Sequence, residues 1–188
     1  MSKYGEVLES GALRFVRELP GPIDRVWSWL VDPEKRALWL AGGNTDGRVG
    51  GKIELSFDNE SLTPHHDPVT EKYADQTNVG FECEITTWEP PHKLGFMWPN
   101  RHGGADEVTF ELMESGDKIR LELIHRGITH PDDLIGATAG WHRHFDIMAE
   151  KFDGRIPTEP FWGPHDLLED EYRGRFEVLL KAMRPVSD

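Results

Sequence analysis

The chain has 188 residues, 37% of them hydrophobic and 10% aromatic, which suits one domain with a real core and room for an internal pocket and argues against disorder. Its formal net charge of −13 repels phosphate backbones and speaks against nucleic-acid binding. A single cysteine, Cys83, rules out an intrachain disulfide.

The N-terminus, MSKYGEVLESG, lacks the apolar stretch of a signal peptide, and no apolar run approaches the ~18 residues of a membrane span, so a cytoplasmic protein without a membrane partner is expected. Residues 12–19 alternate, with Leu13, Phe15 and Leu19 on one face, and predict a first strand that Pro20-Gly21-Pro22 ends. Ile23, Val26, Trp27 and Leu30 then recur with helical spacing, Pro22 being suited to open that helix. Asp32-Pro33 reads as an N-cap followed by proline, predicting a second short helix to about Leu40. Residues 42–51, GGNTDGRVGG, lack phosphate-loop spacing and precede a strand, so they are read as a turn. That strand, residues 52–57, places Ile53, Leu55 and Phe57 on one face, and the polar stretch 58–78, with Pro64-His65-His66-Asp67-Pro68 inside it, predicts a surface loop or flap.

Four alternating segments follow: 80–88 (Phe81, Cys83, Ile85), 93–98 (Leu94, Phe96, Trp98), 107–113 (Val108, Phe110, Leu112) and 118–126 (Ile119, Leu121, Leu123, His125). Consecutive period-2 strands predict an antiparallel sheet with one buried face. Residues 132–154 then read as the dominant helix, with Leu134, Trp141, Phe145, Met148 and Phe152 on a dry stripe and Arg143, Asp146 and Glu150 on a wet one. After a proline-rich tether around Phe161-Trp162, a last helix over about 166–183 carries the stripe Tyr172, Phe176, Leu179 and Met183. The expected organisation is a domain over 1–164 and a helical extension over 165–188, packed on its own subunit or on a second copy in a homodimer.

Strand, two short helices, curved antiparallel sheet and long C-terminal helix is the order of the α+β helix-grip fold. WEPPHKLGFMW (88–98), EVTFEL (107–112), IRLELIHRGI (119–128) and above all GWHRHFDIMAEKFDG (140–154) resemble the bacterial branch of the family named after the activator of Hsp90 ATPase, in the START-like or Bet v 1-like (SRPBCC) superfamily. The PHHDP loop and the Pro-Phe-Trp after the long helix are similar to that branch too, and the resemblance spans about residues 12–162. It implies an apolar cavity between sheet and long helix. It also implies that Trp39 and the 42–51 loop flank its mouth.

His125, on the face of Ile119, Leu121 and Leu123, and His144, beside the Trp141, Phe145 and Met148 stripe, are the polar candidates for such a cavity, since an imidazole there orients a ligand or moves a proton. A core histidine satisfied by its neighbours is the commoner role. The expected ligand-binding set is Phe81, Cys83, Phe96, Trp98, Leu123, His125, Trp141, His144, Phe145 and Met148, although plain core packing is the commoner reason for any one of the aromatic residues to be buried. Cys83 is most simply a small buried hydrophobe. His65, His66, Asp67 and His102 have no metal-ligand spacing, and neither a metal nor a cofactor is expected. The expectation is therefore a protein that binds a small hydrophobic or aromatic molecule without catalysis. The alternatives are an enzyme of polyketide-cyclase type using a pocket histidine, and a co-chaperone-like interaction module with a chaperone partner. The eukaryotic activators carry an additional N-terminal domain that this sequence does not show, which weakens the last.

Overall fold

The computed structural model describes residues 3–76 and 79–183. In chain order the elements are β1 (Glu6–Val7), β2 (Leu13–Pro20), α1 (Ile23–Val31), α2 (Pro33–Arg36), β3 (Lys52–Ser56), β4 (Gly80–Glu89), β5 (Lys93–Pro99), β6 (Ala105–Ser115), β7 (Lys118–Arg126), α3 (Pro131–Phe152), α4 (Trp162–Arg175) and α5 (Glu177–Met183). The strands form one curved antiparallel sheet in the order β1-β2-β7-β6-β5-β4-β3. Registry follows the hydrophobic alternation: Phe15 lies opposite Leu123, Phe110 opposite Leu123 on its other side, Leu94 opposite Phe110, and Ile53 opposite Cys83. A slip of one residue would turn each of these side chains to water. The inward faces are buried and α3 lies across them, which is the helix-grip arrangement.

Between β2 and β3 the chain makes two helices. Asp32 caps α2 by accepting from the backbone of Glu34 and Lys35, with Pro33 at the first position. The helix stops at Arg36 rather than running to Leu40, because Arg36 turns inward. It is 1% exposed and donates to the carbonyls of Ala41, Gly42, Gly43 and Glu54 and to the Thr45 hydroxyl. A buried guanidinium needs this many acceptors. In consequence residues 42–45 fold back on β3, with bridges Gly42–Ser56 and Thr45–Ile53, and cover its outer edge.

The solvated face expected on α3 is not solvated. His142 is fully buried and Arg143 is 3% exposed, while Asp146 and Glu150 are half-buried. The cause is α4, which packs along α3, and the linker before it, whose Glu159 and Pro160 carbonyls accept from Arg143 Nη2 at 2.9 and 2.8 Å. The terminal stripe is thus used within the subunit. Gly5 N–H donates to Tyr172 Oη at 2.7 Å, so the phenol proton goes to His142 Nδ1 at 2.8 Å. This ties the N-terminus to α4; a Cβ at Gly5 would stand 2.5 Å from the Phe15 ring. The last helix begins four residues earlier than the sequence predicts, at Trp162, and breaks at Phe176 into α4 and α5.

Candidate ligand cavity

Most of α3 is packed to the sheet by large side chains, but one stripe of it is not. Asp133, Gly136, Ala137, Gly140, Trp141 and His144 recur at helical spacing and face a void of about 430 Å3. Three of these residues carry little or no side chain. A Cβ added at Gly136 would meet the Tyr73 hydroxyl at 3.1 Å, and one added at Gly140 would meet nothing within 4 Å. The void exists because the helix is bare at that point. Opposite it lie Phe81 on β4, Trp98 on β5 and Phe57, in edge and tilted contact at 5.1–5.8 Å, and Trp98 also meets Trp141 at 5.4 Å. Pro99 and Arg101, exposed at the rim beside Asp133, mark the open side.

On the sheet side the polar groups are engaged. Trp141 Nε1 donates to His125 Nδ1 at 3.2 Å, which places the imidazole proton on Nε2, 3.4 Å from Asp106 Oδ2. Asn100 Nδ2 donates to Asp106 Oδ1 at 2.9 Å. Burial by itself would raise the Asp106 carboxyl, but hydrogen bonds from His125 and Asn100 outweigh it and hold the group below its usual range. His144 donates from Nδ1 to the Trp39 carbonyl at 2.7 Å, leaving its Nε2 lone pair free in the neutral ring. Burial pushes this imidazole down to about 3.

The far end is built by α4 and the 58–79 segment. Phe161, Trp162 and His165 from α4 and its approach meet Asn59 and Tyr73. Tyr73 stacks on Trp162 at 5.4 Å and 23°, and His165 is edge-on to Tyr73 at 5.0 Å. Here two buried polar atoms have no partner, Trp162 Nε1 and Asn59 Oδ1, and His165 Nδ1 has only the Asp166 carboxylate at 3.6 Å. Leaving such a group unsatisfied costs about 1–3 kcal/mol. Burial also holds His165 below its ordinary value. The segment is latched to α4 at two points. Glu169 accepts from Lys72 Nζ at 2.8 and 3.0 Å and from the Tyr73 hydroxyl; Asp67 accepts from the backbone of Trp162 (3.3 Å) and Gly163, capping α4.

The model for the Activator of Hsp90 ATPase homolog 1-like protein family matches residues 20–153. The chain belongs to this family. A Bordetella parapertussis protein with a solution NMR structure is 36% identical, over 92% of this chain and 90% of its own, with a TM-score of 0.76. The crystal structure of CalU16 from Micromonospora echinospora shares 21% identity over 94% of each chain at a TM-score of 0.65. DynU16, described as a putative protein in the dynemicin biosynthetic locus, shares 19% over 80% of this chain and 50% of its own, at 0.61. At these last two identities the likeness is one of fold. No curated protein matches the chain.

The span matched by the Hsp90-ATPase-activator-like family contains the sheet wall, the loop residues and α3, but ends before Phe161, Trp162 and His165. Of the residues predicted from sequence, Phe81, Trp98, Trp141 and His144 share the cavity wall. Cys83, Phe96, Leu123, His125, Phe145 and Met148 are buried in the core and are not among the lining residues. His125 reaches the cavity through Trp141, Trp98 and Asp106, all of which line it. Burial raises the Cys83 thiol to about 12, so it is inert at neutral pH. Trp39 does not flank a mouth: it is fully buried, stacked on Phe145 at 5.8 Å, with Nε1 donating to the Trp29 carbonyl. Asp67 sits on α4, and His102 sits on Asp133 at 2.7 Å. Among the described residues no three metal-ligating side chains converge. The far-end residues escape a sequence reading because they lie about a hundred positions apart.

Proposed function

We propose that this family member holds one small, mostly apolar molecule between sheet and α3 without transforming it. The observation that carries this is the bare stripe Gly136, Ala137 and Gly140 under an otherwise close-packed helix, which leaves a void of about 430 Å3 ringed by aromatic side chains. Interiors normally fill such space, and this size and lining suit a ligand. A binding role also fits the pocket imidazole. His144 has one nitrogen committed to a carbonyl and a basicity lowered to about 3, which makes it a poor general base at neutral pH.

The large exposed hydrophobics among the described residues, Leu38, Val49, Ile156, Leu167 and Val178, are spread over separate segments, which gives a co-chaperone reading no surface to rest on. Of the terminal stripe Tyr172 is fully buried and Phe176, Leu179 and Met183 are half-buried against the core of the same subunit, so we expect a monomer of 21.5 kDa by light scattering. Among the described residues no helix is long and apolar enough to cross a membrane.

Native mass spectrometry tests the binding role. The purified protein is expected to retain a small-molecule adduct that Gly140→Leu, which extends a side chain into the void, loses while still folding. Equal adducts in both proteins, or none in either, would overturn it.

A further inference from the structure

The two ends of the cavity make different demands on whatever occupies them. The end made by Trp98, Phe81 and Phe57 asks only for apolar contact. The end made by α4 presents one donor without an acceptor, Trp162 Nε1–H, and one acceptor without a donor, Asn59 Oδ1; His144, whose Nδ1 is taken by the Trp39 carbonyl, adds Nε2 as a further acceptor. Trp162 and Asn59 are 3% and 8% exposed, so bulk water does not satisfy them. Asn59 lines the same cavity, and Trp162, His144 and His165 are one neighbourhood. His144 and His165 flank the same Phe161 ring, at 5.0 and 5.9 Å, and Trp162 lies 5.0 Å from that ring.

A group that meets both demands must accept one hydrogen bond and donate another, as a hydroxyl does. A bare hydrocarbon answers neither. A carboxylate accepts but cannot donate, and it would find no free cation. Among the described lining residues the one guanidinium, Arg101, is 3.0 Å from Asp133, and Asp106 adds a second carboxylate to the wall. Burial keeps both His144 and His165 neutral.

We infer that the α4 end of the cavity selects a neutral, hydroxyl-bearing apolar ligand, whose oxygen accepts from Trp162 Nε1–H and whose proton goes to Asn59 Oδ1 or His144 Nε2. The inference rests on the binding role proposed above and makes α4, which lies beyond the family match, the specificity-determining element.

Calorimetric titration with three matched probes, 2-naphthol, naphthalene and 2-naphthoate, tests it. The wild type is expected to bind 2-naphthol about ten-fold more tightly than either other probe, the size of one good hydrogen bond gained in an apolar site. Trp162→Phe, which keeps the stack on Tyr73, should reduce 2-naphthol to the affinity of naphthalene and leave naphthalene unchanged. Asn59→Leu should act in the same direction and serves if Trp162→Phe does not fold. Equal binding of 2-naphthol and naphthalene would overturn this inference while leaving the cavity role standing, and tightest binding of 2-naphthoate would overturn the demand for neutrality. Binding of none of the three would overturn the cavity role itself.

Discussion

The sheet wall of the cavity and its α4 wall are both aromatic and both carry buried polar atoms, but they treat those atoms differently. On the sheet side Trp141 donates to His125 and Asn100 donates to Asp106, and His125 Nε2 faces the Asp106 carboxylate at 3.4 Å. On the α4 side Trp162 Nε1 and Asn59 Oδ1 have no hydrogen-bond partner. A satisfied buried network specifies a unique core, whereas an unsatisfied one is a standing cost unless something else completes it. The contrast separates residues that hold the fold from residues placed to meet a ligand, although all but the half-buried Asn100 are buried.

The largest way to break the comparison is acid. His142 and His144 lie beneath α4 or its approach and His165 is on α4, and burial depresses each; His142 and His144 fall to about 3. Their folded values lie below the unfolded value of about 6.5, so the unfolded chain binds the extra protons. Stability from these groups is therefore full above that value and is lost as pH falls toward 3. Two such histidines remove about 4 kcal/mol between pH 7 and pH 5. Denaturant midpoints at the two values check the sum. Hydrogen exchange at pH 5 should show α4 amides opening before those of β6 and β7; simultaneous opening would dissolve the distinction between the walls.

Single substitutions sharpen it. His125→Leu orphans Trp141 Nε1 and strips a partner from Asp106, and should cost about 2–3 kcal/mol in chemical denaturation. Trp162→Phe removes an atom that has no partner and should cost less than about 1 kcal/mol. Comparable costs would show that the α4 atoms are already satisfied. Gly140→Ala is the smallest and has the opposite sign. Its Cβ enters empty space on a helix, so it should stabilise by about 0.5–1 kcal/mol, visible as a raised thermal midpoint.

The sheet and α3 could be read from sequence because alternation and helical spacing are written in large apolar residues. Four features were not legible in that way. β1 has two residues, too few for any period. The polar-looking Arg143 and His142 face of α3 is buried by an element joined through a proline-rich linker, so local pattern misstates its surroundings. The cavity is made by what is missing: Gly136, Ala137 and Gly140 were present as a signal, but attention to large residues selects the core around a void and not the void itself. For that reason alternation and helical spacing alone group Phe96, Leu123 and Phe145 with Trp98 and Trp141. The α4 wall depends on Asn59 and Tyr73 meeting Trp162 and His165, a long-range pairing that no spacing rule encodes.

The most direct test of the difference between the walls is the indole N–H spectrum of 15N-labelled protein titrated with 2-decalol, an alcohol without a ring current. The account predicts that the Trp162 Nε1–H resonance moves downfield as it gains an acceptor, while that of Trp141, already bonded to His125, stays in place. A Trp162 resonance that does not respond while alcohol binds, or a response confined to Trp141, would contradict it.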